Sequence, residues 1–468
     1  MSRLSYPQPG DTLKDIQGQT YQLAEQLGQG GQGAVFSTID PKLLAKICIS
    51  HKSHEIERTR DRFKVLSLRN LKIQSLILPR AVLEKPHLGY LMDRVEGGIS
   101  LAHLVYPQNS QNLKDQTDVD TWYQSTGGLR RRLRICAELA RTFVQIHQAG
   151  LCYVDLSLQN VLIFSDPQKI NIRLIDPDNL IVPGTSLAQV LGTPWFIAPE
   201  LLTDDRLPDY ASDRWSLAVM IYYVLVLNHP FMGDQVMEGE PELEDAALEG
   251  KLPFIDSSKD HQNASSYGLP RNKVLTTKLQ RLFAQTFEQG IYDRWGRPSA
   301  EDWLELLEAA ADKTALCTKC NGTSYLPKIR QTTFVCDWCG QANKRPIEIG
   351  FFPPDPLIKD LEEEEKKVLL RSRSPHRLVL DRGQRYLPIR LISEDKQSTG
   401  YAAQYGTTRN QNNELIYGLK NLTQQTWYWN GKNSQKMYCK PHEYLWLFDG
   451  LMILFPDSQI RAKIRKNY

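Results

Sequence analysis

The stretch from Leu151 to Glu200, LCYVDLSLQNVLIFSDPQKINIRLIDPDNLIVPGTSLAQVLGTPWFIAPE, limits what this chain can be more than any other part of it. Asp155 and Asn160 lie five apart in YVDLSLQN, and Asp176 follows the apolar run IRLI. The spacing brings three oxygen ligands or bases together from two adjacent loops. Mg²⁺ takes carboxylate and amide oxygens, and a further carboxylate accepts a hydroxyl proton, so the set suits chemistry on a metal-bound triphosphate.

These residues resemble the protein-kinase superfamily. YVDLSLQN falls where H-R-D-L-x-x-x-N is expected, IDPD falls at D-F-G, and Ala198-Pro199-Glu200 falls at A-P-E. The resemblance implies Asp155 as catalytic base and Asn160 and Asp176 as Mg²⁺ ligands. It implies that Thr193 bonds the catalytic Asp, as in serine/threonine kinases, whereas tyrosine kinases carry Pro there; the plainer alternative is a turn hydroxyl.

Upstream, Tyr21 to Ile49 alternates apolar and polar residues around LGQGGQGAVF, which reads as strand, glycine turn, strand. Gly28, Gly30, Gly33 and Val35 match G-x-G-x-x-G-x-V, a loop whose backbone amides approach phosphate closely because side chains are missing. Alone, the match is equally a Gly-rich hairpin turn. Lys46 follows in LLAKICI, mid-strand among apolar neighbours, where an ammonium is costly without a phosphate or carboxylate partner. Ser53–Leu68 reads as a helix, and the resemblance implies that an acidic residue on it, Glu57 or Asp61, pairs with Lys46. It also implies that Met92 guards the back of an ATP pocket and that backbone groups of Asp93 and Val95 meet the adenine.

Pro107 to Gly127 is rich in Gln, Asn, Asp and Thr and reads as a surface insertion. LRRRLRICAELARTFVQIHQAG then carries apolar residues at helical spacing and stops at Gly150. By resemblance Asp213, opening SDRWSLAVMIYYVLVLNHPF, braces the catalytic loop, and Arg297 pairs with Glu200. Ser299 and Asp302 make a capping-box-like start for a helix.

Cys317-x-x-Cys320 and Cys336-x-x-Cys339 suit a tetrahedral Zn²⁺ ribbon better than a redox dithiol. Past them, FFPPDPLIKDLEEEEKKVLLRSRSPH reads as a linker, its acidic run Glu362 to Glu365 as a solvated face. From Arg377 short strands broken by Gly, Asn, Pro and Asp favour an all-β sandwich. Its closing strands resemble forkhead-associated domains, without the Gly-Arg and Ser-x-x-His that read phosphothreonine there.

IDPDN, GTPWFIAPE, LQRLFAQTFEQG, GRPSAEDW and the following cysteine pairs together resemble bacterial kinases of the tellurium-resistance-associated type. That resemblance implies a von Willebrand A-type protein and a metal-dependent protein phosphatase as partners.

The expected architecture is α+β: a two-lobed kinase-like fold over residues 1–312 (N-lobe about 18–95, C-lobe about 96–312), a zinc ribbon over 313–350, a linker over 351–376 and a β-rich domain over 377–468. The net charge of +3 argues against a nucleic-acid partner. MSRLSYPQPG has no apolar leader, and the apolar run near Leu217 to Leu227 is too short to span a bilayer, so a cytoplasmic address is expected.

The expected activity is ATP- and Mg²⁺-dependent phosphorylation of serine or threonine in proteins. Three departures set a nucleotide-binding pseudokinase scaffold beside it. Tyr153 and Val154 replace His-Arg. Ser157 and Leu158 fill the place of Lys and Pro, and losing a cation beside the transferring phosphoryl costs on the order of 10²-fold in rate. Pro177 and Asp178 replace Phe-Gly, leaving Asp178 either a further metal ligand or a turn carboxylate.

Overall fold

Alternation of apolar and polar residues between Thr12 and Asp93 gives six strands: β1 (Thr12–Lys14), β2 (Thr20–Gly30), β3 (Gly33–Thr38), β4 (Leu43–Cys48), β5 (Ala81–Val82) and β6 (Gly89–Asp93). In this computed structural model they form one antiparallel sheet, ordered β1-β2-β3-β4-β6-β5. The structure describes residues 7–30, 33–48, 53–69, 71–107, 116–185, 193–204, 206–327, 331–352, 376–430 and 435–466. The chain divides into two compact units, Met1–Lys114 with Ile135–Leu304, and Asp115–Arg134 with Glu305–Tyr468. Among the described residues no helix is long and apolar enough to cross a membrane.

In the first unit the strand period of two sorts side chains between two cores. Phe36, Ala45, Ile47 and Leu91 pack with Leu13, Leu23 and Leu83 on one face. On the other, Tyr90 and Met92 pack with Phe63 of helix α1 (Ser53–Leu68). Lys46 lies opposite Tyr90 in register, which puts the ammonium on the α1 side. Gly33 has φ +154°, and a Cβ there would collide with the Ile47 carbonyl oxygen, so the close approach of β3 to β4 requires glycine.

Helix α2 (Gly128–Gln148) buries Leu133, Cys136, Ala137, Ala140 and Val144. It ends as its sequence predicts: Gly150 has φ +74°, with its N–H on His147 O at 3.0 Å and Leu151 N–H on Ile146 O at 3.1 Å. Five short strands shape two loops. β8 (Cys152–Tyr153) pairs with β11 (Leu180–Ile181), and β9 (Val161–Phe164) pairs with both β7 (Gly98–Ser100) and β10 (Arg173–Leu174).

Helix α3 (Tyr210–Val226) is buried along nearly its whole length, as a helix apolar all round must be. Its N-cap is Asp209, whose Oδ1 accepts the Ala211 and Ser212 amides at 2.8 and 3.2 Å; Asp213 lies inside the first turn. Ser299 and Asp302 exchange bonds of 2.8 and 3.2 Å at the start of α4 (Ala300–Asp312).

The second unit departs from expectation at both its ends. Of the polar stretch from Pro107 to Gly127, residues 108–115 lie outside the described residues, and Gln116–Ser125 is a helix. Tyr123 on it is fully buried, its ring 5.0 Å from that of Trp338. Polar composition masked the helix because its anchor is a few aromatic residues rather than an apolar stripe. Two hairpins follow, β12 (Thr314–Leu316) with β13 (Thr323–Tyr325) and β14 (Thr333–Val335) with β15 (Ala342–Lys344).

The boundary expected at residue 350 falls inside a strand, β16 (Ile347–Phe352), which pairs with β17 (His376–Leu380) and with β25 (Ile460–Arg465). IEIGFF reads as a ribbon's end only because nothing local reveals its partners. Of the linker 351–376, residues 353–375, including the acidic run, lie outside the described residues. With β24 (Met452–Phe455), β21 (Trp427–Asn430) and β22 (Lys436–Cys439) these strands form a six-stranded antiparallel sheet, ordered β17-β16-β25-β24-β21-β22. A second antiparallel sheet is ordered β18-β19-β20-β23 (Tyr386–Pro388, Tyr401–Arg409, Leu415–Asn421, Tyr444–Trp446). Trp427, Phe455, Ile349 and Leu378 of the first sheet share one core with Leu387, Ala403, Leu419 and Leu445 of the second. β19, with the sequence YAAQYGTTR, carries a weak strand signal, because Gln, Gly and Thr blur its alternation.

Candidate active site

The two strand pairs bring the expected acidic residues together. Ile175 N–H donates to Asn160 O at 2.9 Å, Val154 N–H to Asn179 O at 3.1 Å, and the Tyr153 hydroxyl to Ile175 O at 2.6 Å. The loop carrying Asp155 and Asn160 is thereby fastened to the loop carrying Asp176. Asn160 Nδ2 donates to Asp155 O at 2.8 Å, which leaves its Oδ1 for other partners. Asp155 Oδ1 accepts the Thr193 amide at 2.9 Å and the Thr193 hydroxyl at 3.2 Å. Residues 186–192, just before Thr193, lie outside the described residues.

Buried Asp213 holds the start of the loop that carries Asp155 and Asn160, accepting the Tyr153 amide at 2.9 Å and bonding His147 Nε2 at 3.0 Å. Burial raises its carboxyl above the usual range, and the His147 ring opposes that. Arg297 forks onto Glu200 with two bonds of 2.8 Å.

Lys46 meets carboxylates the sequence did not pair with it. Its Nζ lies 3.0 Å from both oxygens of Asp178 and 3.0 Å from Asp176 Oδ1, and the Tyr90 hydroxyl donates to Asp178 Oδ1 at 2.8 Å. Glu57 instead pairs with Lys85 at 2.7 Å and Arg60 at 3.2 Å, and Asp61 with Lys64 at 3.0 Å. Both lie on the outer side of α1, which corrects the expectation that one of them serves Lys46. Asp178 is likewise buried against Lys46 and Tyr90, a third arrangement beside the metal-ligand and turn readings. Tyr90 carries no sequence signal beyond its strand register.

Burial pulls the Lys46 ammonium down, but Asp178 and Asp176 more than offset it and hold it above its ordinary range. Burial lifts the Asp176 carboxyl, Lys46 draws it back, and Asp178 and Asp155 push it up again. Two carboxylates facing one ammonium leave net negative charge, a surplus that a divalent cation relieves.

Gly28 and Gly30 have open space where a Cβ would stand; residues 31–32 between the glycines lie outside the described residues. Val35, Met92 and Val95 line the apolar cluster around Tyr90. Asp93 closes β6 opposite Leu43, its exposed carboxylate 3.2 Å from Arg80.

A model of the family described as protein kinase domain matches residues 21–305, more than half of the chain. The chain belongs to the protein kinase domain family. Calcium-dependent protein kinase 25 of Arabidopsis thaliana is 32% identical over 158 residues, 32% of this chain and 29% of that protein. Protein kinase C of Aspergillus fumigatus is 28% identical over 235 residues, 47% of this chain and 19% of that protein. Smooth-muscle myosin light chain kinase of Gallus gallus is 25% identical over 221 residues, 46% and 10% of the two chains. This chain thus spans less than a third of the length of each of these relatives.

Outside the kinase domain, the sulfurs of Cys317, Cys320, Cys336 and Cys339 all lie within 4.8 Å of one another, with Cys317–Cys339 and Cys320–Cys336 at 3.7 Å. Burial would raise the Cys317 thiol, but the Cys320 and Lys319 amides and the Asn343 side chain bring it down to about 6.

Proposed function

We propose that this chain is an active protein kinase that transfers the γ-phosphoryl group of ATP to serine or threonine of protein substrates. The observation that carries the reading is the Asp155 carboxylate held by both the amide and the hydroxyl of Thr193, beside Asn160 and Asp176. Asp155 takes the proton of the attacking hydroxyl as the bond from phosphorus to the β–γ bridging oxygen breaks. Thr193 fixes the Asp155 rotamer, so the free carboxylate oxygen is presented to substrate. Mg²⁺-bound ATP supplies the phosphoryl group, and the negative surplus at Asp176 and Asp178 fits the metal. Asn160 and Asp176 are the residues that would hold it, Lys46 and the Gly28, Gly30 and Gly33 loop would hold phosphates, and backbone groups of Asp93 and Val95 with Val35 would hold adenine.

The four cysteines fit a zinc ribbon, because Zn–S bonds of about 2.3 Å make a tetrahedron with edges of about 3.8 Å. The sheets after it support a sandwich-type domain similar to forkhead-associated folds, used for partner binding without phosphothreonine reading. The resemblance to tellurium-resistance-associated bacterial kinases adds a von Willebrand A-type protein and a metal-dependent phosphatase as partners, in the cytoplasm.

Incubation with Mg²⁺ and labelled ATP, then phosphoamino-acid analysis, tests the activity. Labelled serine or threonine is expected from wild type and a loss of at least about 10³-fold from Asp155→Asn. Nucleotide binding with no labelling above Asp155→Asn would replace the kinase by the pseudokinase scaffold that Ser157 and Leu158 suggest.

A further inference from the structure

A buried ammonium is costly without a partner, and in protein kinases the lysine that grips phosphate takes a carboxylate from the helix after its strand. In this chain the helix is α1, and the two carboxylates among its described side chains are engaged elsewhere: Glu57 with Lys85 and Arg60, Asp61 with Lys64. We propose that Asp178 has taken over the task and is the positioning residue for Lys46, so that the lysine's anchor and the metal-binding Asp176 belong to one turn of chain. The inference rests on the kinase reading above.

Three features carry it. Both Asp178 oxygens lie 3.0 Å from Lys46 Nζ, and Tyr90 gives Oδ1 a second donor at 2.8 Å, so the carboxylate is fixed from two sides. Lys46 and Asp178 are 4% and 8% exposed, so water does not compete for the pair. The turn itself is stiff: Asp176 sits at φ 59°, ψ 66°, Pro177 fixes the next φ, and Asn179 N–H closes onto Asp176 O at 3.0 Å.

Asp176 also touches Lys46, but it is the carboxylate a metal would claim. Once it is claimed, Asp178 is what keeps the ammonium from following. Remove Asp178, and Lys46 and the metal compete for one carboxylate. The α1 face turned to this region supplies a cation instead, Arg62, whose charge Asp178 also feels. Displacing α1 therefore leaves the Lys46 pair intact, unlike an arrangement in which the helix carries the anchor.

The test uses the full chain, with Mg²⁺ and a fluorescent N-methylanthraniloyl ATP for binding and labelled ATP for turnover. Asp178→Asn is expected to lower kcat/KM for ATP about 30-fold or more and to raise the Mg²⁺ concentration needed for half-maximal binding several-fold. Asp178→Glu should recover most of the loss, and Glu57→Gln and Asp61→Asn should stay within about twofold of wild type. Asp178→Asn with wild-type binding and Mg²⁺ requirement overturns the proposal, as does an equal loss from Glu57→Gln or Asp61→Asn. If Asp178→Asn does not fold, Tyr90→Phe decides: a raised Mg²⁺ requirement supports the anchor, and an unchanged one overturns it. A wild type that binds nucleotide but labels nothing sinks only the kinase reading, because the binding arm still separates Asp178 from the α1 carboxylates.

Discussion

Arg297 and Glu200 show how much a single pair can hold. Both are almost fully buried, the guanidinium fork meets the carboxylate at 2.8 Å twice, and Arg297 also donates to Gly290 O and Ala211 O. Arg297→Ala strands a buried carboxylate, and equilibrium urea unfolding should report a loss of about 3–5 kcal/mol. His229 is the residue whose protonation the fold resists. Burial pushes its ring from 6.5 down to about 4, the Trp195 carbonyl opposing, while Nε2 donates to that carbonyl at 2.8 Å and Nδ1 accepts the Phe231 amide at 3.2 Å. The unfolded chain binds this proton near pH 6.5 and the folded chain only near pH 4, so the ring's contribution is complete above pH 6.5. Between pH 6.5 and 4 it drains away at about 1.4 kcal/mol per pH unit, about 3 kcal/mol in all. The difference in unfolding free energy between wild type and His229→Gln across that range measures it, and a flat difference contradicts the assignment.

Among elements, those built from local signals are legible in the sequence: α1, the stop at Gly150 and the glycine hairpin. That the loops of Asp155, Asn160 and Asp176 meet, and that Lys46 is buried with a carboxylate partner, was legible too, because a motif's order along the chain is itself local information. What sequence hid is settled by distant partners. The identity of the Lys46 anchor depends on how α1 turns, which an amphipathic pattern as weak as SHEIERTRDRFKVLSL does not fix. β16 depends on strands far along the chain. Ile347, Ile349 and Phe351 on it belong to the shared core, so a fragment starting at Arg377 should lack a cooperative melt by circular dichroism, and one starting at residue 345 should regain it. Trp427→Ala, emptying the largest side chain of that core, should cost the longer fragment about 3–5 kcal/mol.

For the whole molecule, the predicted metal matters outside the kinase domain. Hairpins of three-residue strands bury too little apolar surface to persist alone. One zinc per chain is expected by metal analysis of purified protein, and stripping it with a chelator should lower the melting temperature of the second unit while nucleotide affinity of the first stays unchanged. Within that second unit, β25 is inserted between β16 and β24, and Glu348 faces Arg465 across more than a hundred residues of chain. Until β25 arrives, β16 and β24 each expose an unpaired edge. Closing so long a loop before any of its contacts repay the entropy places this domain among slow-folding topologies, so the order in which a ribosome releases the strands leaves both edges waiting on the latest one, and a nascent chain stalled just short of Ile460 is the species that chaperones must shield.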